Sequence, residues 1–163
     1  MIHVRIAALS LDSSSNQPVI LLRPLDEPEG SGRILPIWIG HPEATAILLA
    51  LQSVETPRPM THDLLKNIVD STDYEISRIE ITRLEEGTFY AAVILRGEDR
   101  TIAIDARPSD SIALAVRSGA PIFVAESVLD EAAILEQETI DEEATIEEFR
   151  DFIDHVDPSD FQG

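Results

Sequence analysis

Three stretches of the sequence gather residue types suited to acid–base, anion or metal chemistry. PRPMTHDLL at 57–65 carries Arg58, His62 and Asp63. DARPSDSIALAVRSGAPI at 105–122 carries Asp105, Arg107, Asp110 and Arg117, and LPIWIGHPEATAI at 35–47 adds Glu43. Carboxylates are hard oxygen ligands for a divalent cation, a guanidinium grips an oxyanion through paired N–H donors, and an imidazole moves protons near neutral pH. Structural roles for the same residues stand beside these. Asp63 and Asp110 fall in first helical turns, where capping and the helix dipole already reward an acid by about 0.3–1 kcal/mol. His62 also reads as a solvated or hydrogen-bonded surface residue. Asp105 interrupts the apolar alternation of a strand end, either as a ligand or as the ion-pair partner of Arg107 or Arg117. Arg58 lies between two prolines on a stiff loop and can pair with the same cluster.

The elements that must position these residues follow from hydrophobic period and turn chemistry. Ile2, Val4 and Ile6 alternate with His3 and Arg5, which predicts a strand over 2–11. The opening thus reads as a strand and not as a signal peptide. After a polar turn at 12–17, Val19–Leu22 and Ile34–Ile39 are further strands. Gly40, His41 and Pro42 end the last of these. The helix predicted over Glu43–Gln52 is apolar almost all round and is therefore expected to be buried. Pro57 and Pro59 force extended backbone before a helix from Thr61, read as its cap, to about Val69, with Met60 and Leu65 at staple spacing. Strands near 74–84, 88–96 and 100–106, joined by Glu86-Gly87 and by residues 97–99, read as an antiparallel meander.

A helix over Pro108–Ser118 is closed by Gly119 as a left-handed cap, and Ile122–Ala125 is a strand. Residues 126–135 begin a last core helix. Trp38, the sole tryptophan, is expected in the core. The stretches RILPIWIGHPEATAILLAL and RTIAIDARPSDSIALAV share one plan: an Arg, an alternating strand, a Pro, a carboxylate (Glu43 or Asp110) and an Ala-rich helix.

The whole is expected to be an α+β fold, a single compact domain at 1–135 with a largely antiparallel or mixed sheet and three to four short helices. Residues 136–163 form an acidic extension. In it, Thr145 and Glu148 have capping-box spacing, and Ile146, Phe149, Ile153 and Val156 make one apolar stripe, predicting an amphipathic helix near 146–156.

Composition narrows the chemistry. The absence of cysteine excludes disulfides, thiolate zinc sites and a cysteine nucleophile, and fits a cytoplasmic location. No apolar run is long enough to span a membrane. No phosphate-binding glycine loop, HExxH or GxSxG is present, so no nucleotide cofactor is expected. The net charge of −19 opposes a phosphate backbone. Residues 126–163 carry −13 of it, however, and residues 1–125, with 17 acids and 11 bases, only −6.

The two charged stretches, together with LPIWIGHPEATAI and GTFYAAVIL at 87–95, resemble the bifunctional nuclease domain family over nearly all of residues 1–135. The resemblance implies a compact mixed α/β domain, usually a homo-oligomer (dimer or trimer), that hydrolyses DNA and RNA. Glu43, His62, Asp63, Asp105, Arg107 and Asp110 fall on the family's characteristic motifs. Phosphodiester hydrolysis needs such residues: Asp105, Asp110 and Glu43 to hold a divalent metal (Mg²⁺ or Mn²⁺), Arg107, Arg58 or Arg117 on phosphate, and His62 as acid or base. The other reading is a regulatory module without enzymatic activity, its acidic tail meeting a basic protein partner.

Overall fold

The computed structural model describes residues 1–136. Its elements are β1 (Ile2–Leu11), β2 (Pro18–Pro24), β3 (Arg33–Trp38), α1 (His41–Leu51), α2 (Thr61–Asp70), β4 (Glu75–Glu85), β5 (Thr88–Arg96), β6 (Thr101–Ala106), α3 (Pro108–Ser118), β7 (Ile122–Val124), α4 (Glu126–Ala132) and β8 (Ile134–Leu135). The strands form one mixed sheet in the order β6-β5-β4-β7-β1-β2-β3-β8. The fold is thus α+β, as the patterning predicts.

Two antiparallel meanders, β1-β2-β3 and β4-β5-β6, make up most of the sheet. Short links dictate this. Glu86 and Gly87 both take positive φ (49° and 77°), the backbone of a tight hairpin turn whose twist matches its strands. β7 lies between the meanders, parallel to β4 and antiparallel to β1. The third strand of each meander runs into a helix with a proline in its first turn, α1 after β3 and α3 after β6. The shared plan noted in the sequence therefore has a topological counterpart, and α1 and α3 pack on each other.

The core lies between helices and sheet. Ile20, Leu22, Leu35, Ile47, Ile79, Ile81, Ile112 and Leu129 are fully buried in one cluster. Burying each such side chain contributes about 1.5–3 kcal/mol. β2 is buried along its whole length because Val19 and Leu21 join Ile34 in a smaller cluster on the opposite face. Gly119, at φ 71°, closes α3 with the left-handed cap expected of it.

Four local expectations are corrected. α1 buries Ala44, Ala46 and Ile47, but Leu51 is exposed, so the helix is covered on one side only. α2 has Met60, not Thr61, at its N-cap, and Leu65 faces outward. Asp63 takes over the capping, accepting the Met60 N–H at 2.9 Å. The chain leaves the helical path at Ala133 and pairs as β8 with β3, because an edge strand with unpaired backbone groups offers a ladder there. Trp38 is about half exposed, and its indole N–H donates to Asp12 Oδ2 at 3.0 Å. Ser14 and that indole together hold the Asp12 carboxyl far below the usual range. The helix expected near 146–156 lies outside the described residues.

Candidate functional site

Three helices begin at one place. Gly40 and Arg107 are the extended N-cap residues of α1 and α3, neither makes a side-chain cap, and a proline in each first turn fixes the helical φ. α2 begins beside them after the extended Pro57–Met60 segment. Because each helix carries an acid or a histidine in its first turn, Glu43 and Asp110 are brought within reach of one guanidinium and His62 within reach of Asp110.

Arg107 Nη2 donates to Glu43 Oε1 at 2.8 Å, and Arg107 Nε donates to Asp110 Oδ2 at 2.8 Å. The other Asp110 oxygen, Oδ1, lies 2.9 Å from His62 Nε2. The result is a continuous chain, Glu43–Arg107–Asp110–His62. Exposure peaks at Arg107 and falls on either side of it: the Arg107 side chain is 65% exposed, Glu43 17%, Asp110 28% and His62 9%. Arg107 is thus the member that faces solvent, and the carboxylate–imidazole pair lies beneath it. Gly40 makes room for Glu43, since any Cβ there would collide with Glu43 Oε2.

The electrostatics follow from these contacts. Partial burial pushes the Asp110 carboxyl up, but the hydrogen bonds of Arg107 and His62 outweigh it and hold the group below its ordinary value. Arg107 is held above its ordinary value by its bonds to Asp110 and Glu43. Asp110 is therefore a carboxylate at neutral pH, placed to orient the ring of His62.

A second latch lies further along α3. Arg117 Nε donates to Asp63 Oδ1 at 2.6 Å, and Arg117 Nη1 donates to the Ala113 carbonyl at 2.9 Å. The Arg117 side chain is only 8% exposed. Burial pushes the Asp63 carboxyl up, and the bonds from Arg117 and the Met60 N–H more than reverse this. Consecutive residues of α2, His62 and Asp63, thus clasp the two ends of α3. Beside the second latch is a cavity of about 270 Å³ lined by Leu49, Val54, Met60 and Val116 along with Arg117.

The structure gathers five of the residues singled out in the sequence, Glu43, His62, Asp63, Arg107 and Asp110, around the adjoining helix starts. Asp105 is placed elsewhere: it is exposed on β6 and takes no part in the chain of bonds, and Arg107 and Arg117 pair with other acids. Arg58 is exposed on the loop before α2, and Arg117 is turned inward. The pairing of Arg117 with Asp63 is not expected from the sequence, which offers Asp105 as the partner of Arg117. Among the described residues no group of three or more His, Asp or Glu stands at metal-holding spacing. Arg107 occupies the space between Glu43 and Asp110, so Asp105, Asp110 and Glu43 do not form a ligand set in this arrangement.

Comparison with known proteins agrees with this geometry in extent. The family model described as the bifunctional nuclease domain matches residues 23–137, which include every residue of both latches. An uncharacterized protein of Mycobacterium tuberculosis is 46% identical over 168 residues, spanning 98% of both chains. Bifunctional nuclease 1 of Oryza sativa subsp. japonica is 30% identical over 119 residues, 71% of this chain and 35% of its own length. Bifunctional nuclease 2 of Arabidopsis thaliana is 31% identical over 99 residues, 59% of this chain and 30% of its own. This chain therefore matches only about a third of each plant protein. A model match over more than half the sequence, enclosing the helix starts and both latches, places the chain in the bifunctional nuclease domain family.

Proposed function

We propose that the protein hydrolyses phosphodiester bonds of DNA or RNA at the adjoining starts of α1, α2 and α3. The carrying observation is the solvent-facing Arg107 set over the half-buried Asp110 carboxylate and the buried His62 imidazole where these helices begin. Each helix start contributes a partial positive charge, and α1 and α3 have no side-chain cap on theirs. A phosphate can therefore be held locally despite the acidity of the chain. Arg107 would grip the phosphate and steady the charge that builds on it during attack. His62, oriented by Asp110, would transfer the proton. Glu43 positions Arg107 from the far side. Asp63 and Arg117 hold α2 in place and do not touch the reacting atoms.

No step in this reading passes through a metal. A divalent ion binding between Glu43 and Asp110 would have to displace the guanidinium. Cleavage of single-stranded DNA and RNA oligonucleotides in Mg²⁺, in Mn²⁺ and in EDTA, with the wild type and His62→Ala, Arg107→Ala and Asp110→Ala, tests both points. The expected outcome is cleavage by the wild type and strong loss in all three variants. Full activity in the three variants would remove the site from consideration.

A further inference from the structure

The second latch carries hydrogen-bonding capacity that it does not use. Two of the five N–H groups of Arg117 are engaged among the described residues, Nε–H with Asp63 and one N–H of Nη1 with the Ala113 carbonyl. Nη2 has no partner there, although the side chain is only 8% exposed. Arg23 Nε is the one sealed side-chain nitrogen or oxygen without a partner among the described residues, so Arg117 Nη2 reaches open space. The cavity of about 270 Å³ that Arg117 and Asp63 line supplies that space. Asp63 has capacity left as well. Its Oδ1 accepts from Arg117 and its Oδ2 from the Met60 N–H, which fills two of the roughly four acceptor positions of a carboxylate.

We propose that this cavity is a subsite for a keto nucleobase, uracil, thymine or guanine, held by its edge on Arg117 and Asp63. Such a base carries a ring carbonyl beside a ring N–H. The carbonyl accepts from Arg117 Nη2, and the N–H donates to a lone pair of Asp63. Cytosine and adenine place an amino group and an unprotonated nitrogen at the same positions, so donor meets donor and acceptor meets acceptor. Leu49, Val54, Met60 and Val116 offer apolar walls to the ring faces, and the Met60 thioether suits an aromatic neighbour. The volume equals that of about nine waters at ~30 Å³ each, which suits a single base. An anionic ligand is less well matched, because Asp63 already offsets the Arg117 charge and the carbonyl end of α3 adds negative potential. The Asp63–Arg117 bond stays closed around the base, so the latch keeps holding α2. Arg107 and Arg117 lie ten positions apart on α3, about 15 Å at 1.5 Å per residue. The base in the cavity is therefore not the one at the bond beside Arg107 but one further along the strand. Choosing a nucleobase among cyclic amides rests on the nuclease reading above.

The test reads binding and not cleavage, by amide chemical-shift titration of the full chain with free nucleosides. Uridine should move the resonances of the cavity wall, within residues 49–63 and 113–117. It should bind about tenfold tighter, or more, than cytidine or 3-methyluridine, whose N3 cannot donate to Asp63. Guanosine should exceed adenosine in the same way. Val116→Phe and Ala50→Leu intrude on the cavity from two different helices. Each should weaken uridine binding about tenfold or more with the melting curve retained, and either one suffices should the other fail to fold. Equal binding of uridine and cytidine, shifts confined to other parts of the chain, or unchanged binding in a folded wall variant overturns the proposal. Uridine binding by a protein that cleaves nothing removes the nuclease reading and keeps the subsite, whereas cleavage without uridine binding does the opposite.

Discussion

The two ends of α3 use the same chemical parts for different ends. At its start Arg107 pairs with Asp110 and Glu43 and is 65% exposed; near its end Arg117 pairs with Asp63 and is 8% exposed. Both arginines reach a carboxylate at hydrogen-bonding distance, so pairing alone does not separate them. Exposure does. A guanidinium facing solvent can exchange a carboxylate contact for a phosphate, whereas a buried one cannot leave without stranding its partner. The comparison teaches that the first latch is placed to act on a ligand and the second to hold α2 against α3.

The sharpest way to break this contrast is to remove each arginine in turn. Arg107→Ala should lower single-turnover cleavage about 10²–10³-fold, the scale for losing one preorganised charge donor, with little change in the thermal midpoint. Arg117→Ala should do the reverse. Breaking this half-buried pair is expected to cost about 2–3 kcal/mol in urea denaturation, somewhat below the range for a fully buried one, with activity per folded molecule reduced much less. If Arg117→Ala abolished cleavage without loss of stability, the division of roles would fail.

Acid should loosen both latches. Asp63 and Asp110 titrate below their ordinary value of 3.8 in the folded protein. The stability they confer is thus complete above 3.8 and is lost as pH falls through the lower folded values. The expected observation is a decline in wild-type stability across that acid range that is shallower in the Asp63→Asn, Asp110→Asn double variant. Equal slopes would mean that neither carboxylate is differentially stabilised on folding. The smallest effect is expected from Gly40→Ala. The φ of −74° suits alanine, but the new Cβ must push Glu43 away from Arg107. Cleavage should fall only several-fold, with the melting curve unchanged.

Much of this was legible in the sequence because the signals were local. The alternation in residues 2–11, the Glu86-Gly87 turn and Gly119 after Ser118 each specify backbone conformation from adjacent residues. The acids of the three helix starts were legible for the same reason. Less legible was anything set by packing. Trp38 was expected in the core, yet lies at a strand end where Asp12 can satisfy its N–H. Residues 133–135 continue a helical reading by pattern, and become strand only because β3 leaves an open edge. Asp105 was grouped with the cluster by its motif at a strand-to-helix junction, but on β6 it is exposed and takes no part in the bonds around the helix starts.

By itself, then, the sequence determined the second meander, the strands of the first, the Pro-marked helices that follow them and the residue types available for chemistry. The tertiary structure decided which of those residues meet. Glu43 and Arg107 are 64 positions apart, and His62 and Asp110 are 48 apart. No local pattern encodes such distances. They are fixed by β7 docking between the meanders and by α2 turning its charged side to α3, arrangements that depend on the burial of Ile79, Ile112 and their neighbours in one core.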